Sequence, residues 1–309
     1  MPMLNPVPLN VALVGIGKIA RDQHVPAIAA SDDWNLVATV SRSGTVDGIP
    51  AFIDIEDMLD ARPDVSVVSL CLPPVPRFVA AEAAIRAGRH VMLEKPPGAT
   101  LAEVHALQAM AAARGVTLYT TWHSRMAHGV ADARAMLSDR EILGATITWK
   151  EDVRKWHPGQ DWVFEPGGMG VFDPGINALS ILTAILPDPV HLTSATLTFP
   201  ENRQTPIAAD LVFSGNMTAA FDWRQTGPQT WDIVVQTDLG TLTLRKGGSE
   251  LETSDGFTST GPDREYAGLY ARMAALVRSG TTEVDLAPMV HVADAMTLGR
   301  RLYTEPFQF

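Results

Sequence analysis

Glu94-Lys95-Pro96-Pro97 places a lysine between a carboxylate and two prolines, directly after the apolar run His90–Leu93. An ammonium at the carboxyl end of a strand can hydrogen-bond a reacting hydroxyl, and a nearby positive charge helps to depress its pKa. Further along, Asp173 and Asn177 stand four residues apart, a spacing that puts both on one face of a helix. Asp173 can handle a proton, whereas the amide of Asn177 cannot act as a base at neutral pH and is suited to orienting a substrate. Glu151, His157 and His123 can supply several of the hydrogen bonds that a polyol needs, and Trp156 and Trp122 offer flat apolar faces for the C–H side of a pyranose. Each residue alone has an ordinary reading, as a surface lysine, a packing tryptophan or a solvated strand glutamate. The eight histidines show neither His-Glu-x-x-His nor clustered Cys/His spacing, so no metal is expected. No serine nucleophile elbow is present.

A hydride acceptor is implied by Gly15-Ile16-Gly17-Lys18-Ile19-Ala20. The apolar run Val11–Val14 precedes it and a helix-like stretch, Ile19–Ala30, follows. Glycine-x-glycine-x-x-alanine at such a strand-to-helix turn lets the backbone approach a pyrophosphate, and the helix start offers N–H groups and a positive dipole end. The next strand-like run, Trp34–Val40, ends in Ser41-Arg42-Ser43. No Asp or Glu stands there to take a ribose 2′-hydroxyl; Asp32 and Asp33 come before the run and Asp47 after it. A hydroxyl beside a guanidinium suits a 2′-phosphate, so Ser41 and Arg42 favour NADP, with NAD tolerated.

The elements that must position these groups fall into two patterns. Up to about residue 123, apolar runs alternate with helical segments: Leu9–Val14, Trp34–Val40, Val65–Leu72, His90–Leu93 and Val116–Thr121, with helices at Arg77–Ala87 and Leu101–Arg114. That alternation predicts βαβ units and a parallel sheet. Thr100-Leu101-Ala102-Glu103 has the capping-box form, and Gly115 is placed to end the helix it starts. From 124 to 309 the pattern changes. Helices near Val130–Leu137 and Ile176–Ile185 accompany strand-like runs at Ala145–Lys150, His191–Phe199, Ile207–Ser214, Met217–Trp223, Trp231–Thr237 and Thr241–Leu244. Hairpin chemistry at Ser214-Gly215-Asn216 and Asp238-Leu239-Gly240 predicts a mainly antiparallel sheet. Helices near Tyr266–Arg278 and Met289–Leu302 complete the chain. The expected fold is α/β, with a dinucleotide-binding domain at 1–123 and a substrate-binding, oligomerising α+β domain at 124–309.

The 309 residues exceed the usual size of a single core. Asp and Glu outnumber Lys and Arg by 35 to 24, for a net charge of −11, which argues against nucleic-acid or anionic-membrane binding. Cys71 is the only cysteine, lies in an apolar run, and reads as a small buried hydrophobe. With no disulfide possible, no long apolar span and no signal-peptide pattern in Met1–Pro6, a cytoplasmic protein is expected. Strands such as Ala209-Asp210-Leu211-Val212-Phe213 are apolar enough to predict association through an exposed sheet face, as a homodimer or higher homo-oligomer.

The glycine turn, Glu94-Lys95-Pro96 after the fifth strand, and an antiparallel second domain together resemble the Gfo/Idh/MocA oxidoreductases. The likeness covers essentially the whole chain, and His24-Val25-Pro26 and Pro73-Pro74 fit it too. It implies a Rossmann domain paired with an open-faced sheet, and a Lys95–Pro96 bond that is cis. It also implies cofactor contacts from Gly15, Ile16, Gly17, Lys18, Ile19, Ser41, Arg42, Leu72, Pro73, Pro74, Glu94, Lys95 and Trp122. Within that family, Trp122–Arg125, Trp149–Gln160 and Gly170–Asn177 are similar to the bacterial aldose 1-dehydrogenases that act on D-galactose and L-arabinose. Many relatives carry a histidine where Asn177 stands, so proton transfer falls to Lys95 or Asp173. The expected activity is oxidation of an aldose anomeric hydroxyl to the aldonolactone with NADP or NAD. Another polyol or dihydrodiol dehydrogenase of the family, or a non-catalytic dinucleotide-sensing regulator, is the alternative.

Overall fold

Six parallel strands and the helices that cross over between them build the first of two compact units, whose residues run up to Trp122 and resume at Tyr266–Asp285. The computed structural model describes residues 7–309, so the segment Met1–Pro6, read above for targeting signals, lies outside the described residues. In chain order the elements are β1 (Leu9–Val14), α1 (Val25–Ala29), β2 (Trp34–Val40), β3 (Ala51–Phe52), α2 (Ile55–Ala61), β4 (Val67–Leu70), α3 (Pro74–Arg86), β5 (His90–Leu93), α4 (Leu101–Arg114) and β6 (Leu118–Thr120). The sheet order is β3-β2-β1-β4-β5-β6, which places β1 and β4 at the centre, where the strand order reverses. Strands buried on both faces read as near-continuous apolar runs, as Val11–Val14 does and as Val67–Leu70 does apart from the buried Ser69.

Strand alternation assigns the two faces. Ala12, Val14, Val68, Leu70, Val91 and Leu93 share a core with Met58, Ala81, Ile85, Leu107 and Ala111 of α2, α3 and α4. Val11, Leu13, Ser69 and Met92 point the other way. Local rules hold at the helix ends. Thr100 and Glu103 form the capping box, and Gly115 ends α4 in the left-handed conformation at φ 67°. Asp54 accepts from the Glu56 N–H and so starts α2, an element that the periodicity does not reveal.

The second unit, His123–Glu265 with Leu286–Phe309, holds α5 (Val130–Leu137), β7 (Ile142–Lys150), α6 (Val153–Trp156), α7 (Phe172–Ile185), β8 (Leu192–Pro200), β9 (Ala208–Phe213), β10 (Met217–Asp222), β11 (Thr230–Thr237), β12 (Gly240–Arg245), β13 (Glu250–Thr253) and β14 (Thr258–Thr260). The chain then forms α8 (Glu265–Ser279), α9 (Ala287–Leu298) and β15 (Arg300–Thr304). Nine strands lie in the order β14-β13-β12-β11-β7-β10-β9-β8-β15. Pairing is antiparallel except between β7 and β10 and between β8 and β15. Helix α7 is apolar almost all round and packs on the sheet, where Gly175 lets it approach the Phe221 ring.

Three expectations are corrected. The last helix stops at Leu298 rather than Leu302, and the chain turns through Gly299 into the edge strand β15, its arginines and tyrosine outward. Nor does β9 present an apolar outer face. Its Ala209, Leu211 and Phe213 are buried within the unit, while Asp210 and Val212 face out, because successive side chains alternate across a pleated sheet. Apart from Val212, the apolar residues of β9 are therefore used inside the unit and do not offer a surface for association. Third, α8 does not stay with the segment around it. From Tyr266 onward it covers the sheet face of the first unit that α1 alone would leave bare, burying Tyr266, Leu269, Tyr270 and Met273. Ring contacts of Tyr270 with Trp34 at 5.5 Å and with His24 at 5.7 Å mark that seam.

Candidate active site

In the first unit, the turn after β1 takes φ +91° at Gly15, and a Cβ there would lie 2.9 Å from the Leu72 backbone nitrogen, so only glycine fits. A Cβ at Gly17 would meet nothing within 4 Å, so this turn borders open space. The Arg21 N–H bonds the Gly17 carbonyl at 3.2 Å, so the N–H groups before it are directed out through the start of the helix. Ala20 is fully buried and seats that helix on the sheet. Ile16 is buried and offers only its backbone, Ile19 is exposed, and the Lys18 ammonium pairs with Asp22. These features fit a dinucleotide pyrophosphate.

Ser41 follows β2 directly. Its hydroxyl accepts from the Gly44 N–H at 3.1 Å and shapes a loop that leaves Arg42 exposed. Leu72 and Pro73 lead into α3, whose first residue is Pro74. The Lys95–Pro96 peptide is cis. Arg77 of α3, almost completely buried, donates to the carbonyls of Leu72 (Nε–O 3.1 Å), Glu94 and Pro96, tying together the loops after β4 and β5. The Glu94 carboxylate is buried as well. Oε2 accepts from the Lys95 N–H at 2.7 Å, and Oε1 accepts from the Tyr266 hydroxyl at 2.8 Å and faces His24 Nε2 at 3.2 Å. Trp122 was expected to offer an open ring face. Instead its ring is 3% exposed and its indole N–H donates to the Asp285 carbonyl at 3.0 Å, since the closing segment of this unit covers it.

In the second unit, Asp152 accepts from the Arg154 N–H at 2.9 Å and so starts the single turn α6, which ends in Trp156 and His157. His157 Nε2 lies 3.1 Å from Asp173 Oδ2, and its Nδ1 faces Gln160 Oε1 at 3.3 Å. Asp173 sits in the first turn of α7, where the helix dipole favours a carboxylate. Asn177 follows one turn later, half-buried and on the same face. The sequence spacing is thus realised, and His157 joins Asp173 directly.

Glu151 does not stand open to receive a hydroxyl. It is 7% exposed and accepts the indole N–H groups of Trp223 at 3.1 Å and Trp231 at 2.8 Å. Burying a carboxylate requires such donors, so Glu151 fixes an aromatic wall. Trp156 packs on Trp231 with ring centres 5.9 Å apart, and His157 meets the Trp223 ring edge-on at 5.4 Å. Trp156 and Trp231 line a cleft of about 440 Å³, with Lys155, Gln229, Asp232 and Lys246 around them. His123, expected to hold a sugar hydroxyl, has its Nδ1 in close contact with the Glu265 carboxylate.

Sequence reasoning missed Arg77, Tyr266, Tyr270, Trp223 and Trp231. The tyrosines and tryptophans act through contacts distant in sequence, and Arg77 through carbonyls of the loops on either side of its helix. The one local hint was the number of tryptophans in and after the 149–162 segment. Among the described residues no group of three or more His, Cys, Asp or Glu is arranged to hold a metal, and no helix is long and apolar enough to cross a membrane.

A glycine turn at the strand-order reversal, a buried-glutamate lysine loop and a second unit with a mostly antiparallel sheet define the class as a dinucleotide-dependent oxidoreductase. Residues 9–121 match the family model GFO_IDH_MocA, an oxidoreductase family with an NAD-binding Rossmann fold. A galactose 1-dehydrogenase from Pseudomonas fluorescens is 39% identical over 308 residues, covering 97% of this chain and 99% of that protein. The crystal structure of D-galactose-1-dehydrogenase from Rhizobium etli matches at TM-score 0.95 with 52% identity, covering 99% of each chain. A variant of a 3-ketoreductase from Actinomadura kijaniata, solved with TDP-benzene and NADP, shares the fold at TM-score 0.83 and 21% identity over 96% of this chain and 99% of that one. The chain belongs to the Gfo/Idh/MocA oxidoreductase family.

Proposed function

We propose that this protein is an aldose 1-dehydrogenase, oxidising the anomeric hydroxyl of D-galactose, and of L-arabinose, to the aldonolactone. The observation that carries this reading is the likeness to two galactose 1-dehydrogenases over nearly the whole chain. The two sugars share their configuration at C2 to C4 and differ by an exocyclic hydroxymethyl, a small difference that a pocket rejects only weakly. Gly15, Ile16 and Gly17 would hold the pyrophosphate of a nicotinamide dinucleotide, whose oxidised form would supply the hydride acceptor. Gly15 and Gly17 give a backbone approach to the pyrophosphate, and Ser41 with Arg42 receives an adenosine 2′-phosphate, which favours NADP with NAD accepted.

Lys95 hydrogen-bonds the reacting hydroxyl. Asp173 and its partner His157 form the second proton-handling group, with Asn177 orienting ring hydroxyls from the next turn of α7. Trp156 supplies a flat apolar face for the sugar C–H groups, and Glu151 holds the wall of which Trp231 and Trp223 are part. A panel of aldopyranoses with NADP and NAD, followed by absorbance of the reduced cofactor, tests the reading. Lys95→Ala should lower kcat about 10²–10⁴-fold, the range for losing an acid–base group. No turnover of any aldose by the wild-type protein, or full activity in Lys95→Ala, would refute it.

A further inference from the structure

We propose that His24 is a positioning residue for Lys95: as a buried imidazolium it pairs with Glu94, whose carboxylate fixes the Lys95 backbone. His24 is fully buried, with Nδ1 2.8 Å from the Tyr270 hydroxyl and Nε2 3.2 Å from Glu94 Oε1. A tyrosine hydroxyl has one proton, and Tyr270 gives it to Ser69 Oγ at 3.3 Å. Both Tyr270 contacts are hydrogen bonds only in the state where its oxygen accepts from His24 Nδ1. On the other side Nε2 faces a carboxylate oxygen that already accepts from Tyr266 at 2.8 Å, so Nε2 must donate too. Two donating ring nitrogens make a cation.

The titratable groups around His24 come from three places: Glu94 after β5, Cys71 after β4, and Tyr266 and Tyr270 on α8. Burial opposes the charge, but Cys71, Tyr270 and Glu94 more than offset it, and the His24 pKa lies well above the ordinary histidine value. Cys71 is half-buried at this seam rather than sealed in the strand as its apolar neighbours implied. The π-helical turn Ala20–His24 at the start of the first helix is what brings the imidazole inward. The chain therefore connects the cofactor-turn helix to the lysine loop through His24 and Glu94.

This role depends on Lys95 acting in the reaction, so the test uses two separable readouts. In the full-length protein without cofactor, NMR of labelled histidine should show His24 with both nitrogens protonated at about pH 8, where an ordinary histidine is neutral. A neutral ring there overturns the proposal, whatever the enzyme's activity. His24→Gln should lower kcat roughly ten- to a hundredfold, the scale of a small misplacement of a catalytic group, and move the pH profile of kcat. The Kd for NADP, read by protein fluorescence, should hold within about twofold. An unchanged kcat and pH profile would overturn it. If His24→Gln does not fold, Tyr270→Phe serves: removing the acceptor of Nδ1 should lower the His24 pKa seen by NMR, and no change would overturn the proposal. Full activity in Lys95→Ala with a protonated His24 would instead remove the catalytic assignment of Lys95.

Discussion

Arg42 is the residue whose replacement speaks most directly to cofactor choice. It is exposed, follows Ser41 at the end of β2, and no acidic residue occupies that strand end. Arg42→Asp should raise the KM for NADP by tenfold or more, about the effect of exchanging a charge-assisted phosphate contact for a repulsive one, while changing the KM for NAD little. Parallel kinetics with the two cofactors measures this, and equal changes would remove Arg42 from the site. At this scale the sequence was readable where chemistry depends on neighbours in the chain. Gly15 and Gly17, Lys95 after its strand, and Asp173 with Asn177 on one helical face were all visible from spacing. Glu151 and Trp122 were misjudged because burial is a tertiary property. A glutamate in a strand looks solvated until two tryptophans from other segments donate to it.

At the scale of elements, α7 carries Asp173 and Asn177 and is held against the sheet at Gly175. A Cβ there would stand 2.8 Å from the Phe221 ring, itself packed edge-on against Phe172 with centres 6.1 Å apart. Gly175→Ala should therefore cost about 1–3 kcal/mol, the usual penalty of overpacking. It should raise the sugar KM through displacement of α7 while leaving the NADP Kd unchanged. Urea unfolding and kinetics check both parts. Local rules predicted α4 to the residue, because Thr100, Glu103 and Gly115 write its ends into the sequence. They could not assign α8 to its unit, because an amphipathic pattern states that a helix buries one face and not which core receives it. The edge strand β15 was absorbed into the preceding helix for a similar reason: its residues are mostly exposed and carry no core pattern.

Across the whole molecule, buried histidines set the pH range of stability. The pKa of His24 is raised, with burial outweighed by Cys71, Tyr270 and Glu94, so its stabilising contribution is complete below the ordinary histidine value. That contribution is lost as pH rises through the raised one. His90 and His291 are shifted down by burial, and His90 Nδ1 accepts from the Thr117 N–H at 2.9 Å, which protonation would break. Their contribution is present above the ordinary value and lost as pH falls toward the lowered ones. Urea midpoints against pH should therefore decline on both sides, and His24→Gln should flatten only the alkaline limb. The same variant should be about 3–5 kcal/mol less stable near neutrality, as when one partner of a buried ion pair is removed. An unchanged alkaline limb would contradict this assignment.

The return of α8 to the first unit also has a consequence for synthesis on the ribosome. The segment up to Trp122 emerges early, carrying the glycine turn, His24, Glu94 and Lys95. Tyr266 and Tyr270, which close over His24 and Glu94, are translated only after the strands β7 to β14. The nascent nucleotide-binding half must therefore wait, with one sheet face bare and a buried-to-be carboxylate still wet, until nearly the whole message has been read. A gene fragment ending at Trp122 would encode every cofactor contact proposed here and still lack that covering helix. A working minimal half would need residues 266–285 joined back by a linker.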